Sequence, residues 1–313
     1  MSQDCAACGV TLRGRYCHAC GQDAEAQPRP LREWLSEAFS EANLVDGRTS
    51  RTLVALALRP GRLLEAYRAG AGTRYQGLTK LFVVMTALFL LTLNGTNVTL
   101  YQFVARPIDP SQPVTARADP DGMTVHLTNV EERALWLMPE EDTGVHPAVT
   151  AAIQDAAAAA ATELDRQNLL LENSINAEQA TIARRLTEWL PNTVWGLLPM
   201  YALLLAPIFG RRRLFMEHLI FAMWAHVTGF ALLILLALAN GRGASLPALL
   251  VLAPYLTYVT AAAARYYGLS WPQALWRAVL HLAAYVVFAL IPMALVIELS
   301  ATDWDAYMAY LRA

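Results

Sequence analysis

His218-Leu-Ile-Phe-Ala-Met-Trp-Ala-His226-Val-Thr-Gly-Phe-Ala-Leu-Leu-Ile-Leu-Leu-Ala-Leu-Ala-Asn240 runs for 23 residues without an Asp, Glu, Lys or Arg. At about 1.5 Å of rise per residue it outreaches the roughly 30 Å hydrocarbon core of a bilayer. Working outward, four more stretches are long and nearly uncharged: Leu81 to Tyr101, Val194 to Phe209, Leu246 to Tyr267 and Leu275 to Leu299. The chain as a whole is 56% hydrophobic with a mean hydropathy of +0.32, more than a water-soluble domain of 313 residues carries. The expected fold is mainly α: a polytopic membrane protein with about five transmembrane helices, the first over 80–101 and the other four over 194–300.

Two spans are less regular. The first ends in the polar run Asn94-Gly95-Thr96-Asn97, which reads as a short helix with a frayed outer end or as a broken helix lining a cavity. The second is short unless its helix starts near Trp189, with Pro191 in the first turn.

Charge sets the expected orientation. From Pro28 to Lys80 there are nine basic residues against five acidic, and Arg211-Arg212-Arg213, Arg265 and Arg277 fall on the same side if five helices alternate. The loop 102–193 carries fourteen acidic and six basic residues and falls on the other side, with Asp303 and Asp305; Arg242 dissents. The N-terminus is therefore expected in the cytoplasm and the short segment 301–313 outside. Trp195, Trp304 and Tyr101 suit an outer aromatic belt, and Trp271 and Trp276 an inner one.

All four cysteines lie in the first twenty residues, as Cys5-Ala-Ala-Cys8 and Cys17-His18-Ala-Cys20, each pair followed by glycine. Two CxxC turns at this spacing give four thiolates to one tetrahedral metal ion, so residues 1–23 are expected as a zinc ribbon holding structural Zn2+, with iron in a rubredoxin-like site as the alternative. So short a segment has no core of its own and must fold on its metal. Arg13-Gly14 is the expected turn of a hairpin between the pairs, and Arg13 and Arg15 would offset the charge of the thiolates. Nothing before residue 80 reads as a cleavable signal, and a reducing cytoplasm disfavours disulfides. His18 is expected on the surface, since four sulfurs fill the shell.

Residues 24–79 are expected as a linker over Ala24 to Pro30 followed by cytoplasmic amphipathic helices. Leu31, Trp34, Leu35, Ala38, Phe39 and Ala42 share one face; a second helix starts near Thr49 or Ser50 and stops at Arg59-Pro60-Gly61; a third carries Leu63, Leu64 and Tyr67 and ends at Gly70. Either they lie on the inner leaflet with arginines on anionic lipid head groups, or they pack on the ends of the spanning helices. In the outer loop, 103–147 holds six prolines and is expected to be irregular, with one short strand pair around Met123 to Leu127. The proline-free 148–190 is expected as one long helix, bent near Asn173-Ser174.

Several short motifs occur in order: Tyr16-Cys17-His18-Ala19-Cys20-Gly21-Gln22, Asp46-Gly47, Thr52-Leu53, Arg59-Pro60-Gly61, Ala69-Gly70, Arg74-Tyr75 and, opening the third span, Glu217-His218-Leu219-Ile220-Phe221-Ala222 with His226 beyond. Together they resemble a bacterial membrane-protein family known as domain of unknown function 3667, best over residues 1 to 95 and next over 215 to 230. That family often carries histidine at the position of Trp224, so one polar group is absent here. The resemblance implies an architecture, a cytoplasmic zinc ribbon on a helical domain of the bacterial inner membrane, and no activity.

Ionisable groups within spans are costly and mark candidate sites. Glu217 and His218 open the third span, His226 lies roughly 12 Å deeper, and His281 lies roughly 9 Å into the fifth. A shared polar pocket holding His226 and His281 within about 12 Å of each other is expected if their helices touch. Such rings could move protons, bind a metal or bond a hydroxyl such as that of Tyr201, Tyr255 or Tyr258. Glu217 is expected to pair with the arginines at 211–213. No Walker loop, dinucleotide-binding glycine pattern, His-Glu-x-x-His or serine-nucleophile elbow is present, and no catalytic residue is nominated. The arginines alternate with glutamate without interleaved aromatics, so lipid rather than nucleic acid is the expected partner. The function expected is non-enzymatic: a zinc ribbon that docks a cytoplasmic protein, on a helical anchor that is free to form a homo-oligomer. The alternatives are a permease-like transporter using the membrane histidines and an intramembrane enzyme acting on lipid with Glu217.

Overall fold

The computed structural model describes residues 4–24, 47–70, 72–119, 124–141 and 144–313. The helix expected over Leu31 to Ala42, the linker after Ala24 and the expected strand start at Met123 lie outside these residues. Along the described chain the elements are α1 (Gly47–Leu58), α2 (Arg62–Arg68), α3 (Leu78–Thr96), β1 (Val98–Pro107), β2 (Thr115–Ala118), β3 (Val125–Thr128), β4 (Val130–Pro139), α4 (Pro147–Ala158), α5 (Glu163–Phe209), α6 (Phe215–Asn240), α7 (Leu252–Tyr267), α8 (Trp271–Tyr285), α9 (Ile291–Ala301) and α10 (Trp304–Arg312). Among the described residues five stretches are helical, long and apolar enough to cross a membrane: Gly72–Thr96, Asn192–Phe209, Phe215–Asn240, Ala248–Tyr267 and Trp271–Ala301. The chain is thus a mainly α polytopic protein, as its composition requires.

Two compact units are distinguished, one from the chain up to Leu91 with Val194–Leu235 and Leu249–Leu290, the other from Thr92–Thr193, Leu236–Ala248 and Ile291–Ala313. In the first unit the helical core is aromatic: Phe82, Phe89, Phe221, Trp224 and Tyr266 are fully buried. Leu203, Leu235 and Val287 stand outward and exposed, as a lipid-facing surface requires and water would not favour. Proline and glycine separate α1 from α2 as the sequence suggests. Gly61 sits at φ 79°, and a Cβ there would come within 3.1 Å of the Ala262 backbone, so α2 seats closely on α7. Ser270 and Gln273 form a capping box at the start of α8. Beyond α8 the backbone widens into a π-turn over Val286–Leu290. Pro292 follows it, giving no N–H to a normal helical ladder and crowding the carbonyl four residues back, and the π-turn absorbs that conflict.

The second unit departs most from expectation. The first span does not reach Tyr101: α3 stops at Thr96, Asn97 turns at φ 53°, and the chain leaves as β1. A left-handed Asn is an ordinary way to end a helix. Nor is 103–147 irregular. β1 pairs antiparallel with β4, with Tyr101 opposite Trp136 and Arg106 opposite Glu131, and β2 pairs antiparallel with β3. Arg106 of β1 reaches across to Glu131 and Glu141 at 3.8 and 3.0 Å, and Arg133 of β4 meets the same two carboxylates at 3.3 and 3.4 Å, so charge pairs line this strand pair. Helix α4 covers the β2–β3 pair with a small core of Val149, Ile153, Ala157 and Leu169 against Val114, Ala116, Val125 and Leu127.

The single helix expected over 148–190 is two. It breaks at 159–162, where the Thr162 hydroxyl accepts from the Asp165 N–H at 3.0 Å and caps the next helix. Helix α5 then runs 47 residues through the second span with no break at Asn173-Ser174. The short C-terminal segment 301–313 holds the helix α10, capped by Asp303, whose own N–H donates to Glu178 of α5 at 2.7 Å. Asn240, fully buried, closes the end of α6 by donating to the Leu137 carbonyl at 2.7 Å and accepting from the Leu246 N–H at 2.7 Å.

Candidate metal centre and buried histidines

The two cysteine pairs build the same turn twice. Gly9 N–H donates to the Cys5 carbonyl and Gly21 N–H to the Cys17 carbonyl, both at 2.8 Å, with Gly9 at φ 78° and Gly21 at φ 75°. Each turn is closed by its own bridge, Asp4 with Thr11 and Tyr16 with Asp23. The hairpin expected between the pairs, with its turn at Arg13-Gly14, is therefore corrected: each CxxC is itself the turn. Arg15 pairs with Asp23 at 3.1 Å. His18 is exposed.

The ligand atoms of Cys5, Cys8, Cys17 and Cys20 lie within 4.8 Å of one another, with Cys5 to Cys20 and Cys8 to Cys17 each at 3.6 Å. A tetrahedral ion with metal–sulfur bonds of about 2.3 Å has sulfur–sulfur edges of about 3.8 Å, so the four thiols fit one metal ion. Their acidity points the same way. The N–H groups of Ala19, foremost, and Cys20 hold the Cys17 thiol down to about 6 against burial. At Cys20 the Gln22 N–H also lowers the pKa, yet burial and the three neighbouring sulfurs outweigh it and push the thiol up to about 12. Four thiols this close ionise together only around a cation.

The knob is seated rather than hung on a tether. Ala66 of α2 and Leu12 pack on Cys5, Ala7 and Cys17. Arg74 donates to the Ala7 carbonyl at 2.9 Å, Gln22 donates to the Gly70 carbonyl, and Thr73 donates to Gln22 at 2.5 Å. α2 in turn holds α7: Arg68 donates to the Tyr266 carbonyl at 2.5 Å, and Glu65 meets Arg265 at 3.4 Å. Sequence reasoning did not assign these seating residues. The signal was present, because Gln22, Gly70 and Arg74 belong to the short motifs quoted above.

The membrane histidines are brought together around one phenol. Tyr201, buried, lies with its ring 5.5 Å from His281 and 5.8 Å from His226. Its hydroxyl meets His281 Nδ1 at 2.6 Å, and the Tyr255 hydroxyl meets His281 Nε2 at 3.2 Å. One of these hydroxyls donates and the other accepts, since a neutral imidazole offers one of each. His226 Nδ1 donates to the Ala222 carbonyl at 2.8 Å, so its Nε2 accepts from Tyr285 at 3.2 Å. His218 does not join them. Its Nε2 donates to the Gly210 carbonyl at 3.3 Å and its Nδ1 accepts from Tyr267 at 3.2 Å. Glu217 pairs with Arg213 at 3.3 Å and accepts from the Leu214 N–H at 3.1 Å, a helix-start role.

No protein-family model, curated protein or solved structure matches the chain.

Proposed function

We propose that the four-cysteine knob holds one structural zinc ion and serves as a cytoplasmic docking module for another protein, carried on a helical anchor in a bacterial inner membrane. The observation that supports this best is the closed shell of four thiols in a knob fixed to the helices by side-chain bonds. Four sulfurs leave no open position for substrate, which argues for a structural ion, and zinc takes such a site without redox change. Tyr16, in the second bridge, is 62% exposed and Val10, next to the first, is exposed too, apolar surface of the kind a partner covers. Kinship with domain of unknown function 3667 is part of the same proposal, carried by the quoted motifs.

The histidines weigh against the transport and enzymatic alternatives. Each nitrogen of His218, His226 and His281 already has a hydrogen-bond partner. Rings bonded in this way suit the role of tying neighbouring helices together, which is the reading preferred here.

A photo-crosslinking residue at position 16 of the full chain tests the docking role in intact cells. A discrete adduct that disappears when Cys17→Ser is added, and that the same probe at Trp276 does not give, is the expected result. Identical adducts with and without Cys17 would refute docking through the metal knob.

A further inference from the structure

A groove of about 220 Å³ lies beside the metal knob, lined by Ser50, Arg51, Val54, Ala55, Arg59, Arg74 and Tyr75. Three arginines line it from three different places: the first turns of α1, the residue after α1, and the segment that seats the knob. Among the described residues no carboxylate lines it. Three like charges in one groove repel unless an anion joins them, and a guanidinium fork matches phosphate oxygens two at a time.

Two of the three are already oriented. Arg51 donates through Nε to the Gly47 carbonyl at 3.0 Å, and Arg74 donates through Nη1 to Ala7 at 2.9 Å while lying over the Tyr75 ring. A guanidinium has five N–H groups, so both keep donors for a ligand. Apart from Ser50 the groove's other lining is Val54, Ala55 and Tyr75, of which Val54 is 52% exposed, and Leu58 of the same helix, outside the lining, is 74% exposed. A bare inorganic anion has no use for that surface, whereas the glycerol and chain of a phospholipid would cover it.

We propose that Arg51, Arg59 and Arg74 form a binding site for a phosphate-bearing anion, with the head group of an anionic phospholipid as the source the groove favours. Through Arg74 the ligand stands one hydrogen bond from Ala7, inside the first CxxC turn, so the site joins lipid to the metal knob.

The test uses the full chain in neutral detergent. It is titrated separately with short-chain phosphatidylglycerol, short-chain phosphatidylcholine and sodium phosphate, and bound ligand is counted by native mass spectrometry. Phosphatidylglycerol should bind more tightly than phosphatidylcholine and weaken as salt rises. Arg59→Gln and Arg51→Gln should each weaken it about tenfold, and Arg59→Lys by less. Retained metal in each variant shows that the knob is intact. Binding of sodium phosphate that competes with lipid would support the site and name free phosphate as its other source. Binding by lipid alone would support it and assign the apolar lining a share. Equal phosphatidylglycerol binding by the native chain and by the Arg51→Gln, Arg59→Gln double variant would overturn the site, as would equal binding of the two lipids.

Discussion

Tyr201 decides what His281 is able to do. Its hydroxyl occupies His281 Nδ1 and its ring fills the space against His226. Removing the hydroxyl alone leaves a buried imidazole nitrogen without a partner, which costs about 1–3 kcal/mol. Tyr201→Phe should therefore lower the melting temperature of the full chain in detergent while leaving its metal content unchanged. An unchanged melt would mean that the histidine has no need of that bond. Cys17→Ser should do the reverse at the knob: elemental analysis should find one zinc per native chain and none in the variant, with the protein still in the membrane fraction. Acid should strip the native metal too, because thiolates must give up the ion to take protons. Gly61 is a third single-residue pivot. A Cβ there would crowd the Ala262 backbone at 3.1 Å and hold alanine at φ 79°. Gly61→Ala should destabilise the chain by about 1–3 kcal/mol, read as a lower melting temperature in detergent.

Among the elements, the spans were the most legible, because lipid demands long apolar helices and leaves few alternatives. The places that misled are those where a local signal competed with composition. Val98 to Tyr101 extends the apolar run of α3, yet its β-branched and aromatic residues were already strand-like, and Asn97 was the turn between them. The strands of 103–147 carry Arg and Glu on their faces, which hid their alternation. Thr162-Glu163-Leu164-Asp165 was a readable helix start, overridden by the attraction of six alanines. The clustering of the four cysteines was legible, since the spacing of the pairs calls for two turns. The groove of arginines was not, since its residues come from segments joined only by the fold. Helix α5 supplies a prediction of its own. Burial, and then the Glu132 charge, push the Glu172 carboxyl above the usual carboxylate range. A raised folded pKa favours the protonated form, so this contribution is full below the unfolded pKa and lost as pH rises through the folded one. Glu172→Gln should raise the melting temperature at neutral pH and have less effect in acid. A variant less stable than native at neutral pH would mean that the ionised carboxylate is wanted there.

At the scale of the whole molecule, charge follows the division into two units. Arg59, Arg62, Arg68 and Arg74 belong to the first unit with Arg211, Arg212, Arg213, Arg265 and Arg277. The acidic loop 102–193 belongs to the second, with Asp303 and Asp305. A membrane retains the arginine-rich side in the cytoplasm during insertion. With five spans, the expectation is a cytoplasmic N-terminal knob and an exported α10. Alkaline phosphatase, which is active only after export, reads this directly. Fused after Thr150, in α4 of the second unit, it should be active; fused after Arg213, between the second and third spans, it should be inactive. The proposed zinc site predicts the same sign, because a reducing compartment keeps its four thiols free for metal. A reversed pattern would place Cys5, Cys8, Cys17 and Cys20 in an oxidising space and would remove the basis of both the zinc assignment and cytoplasmic docking.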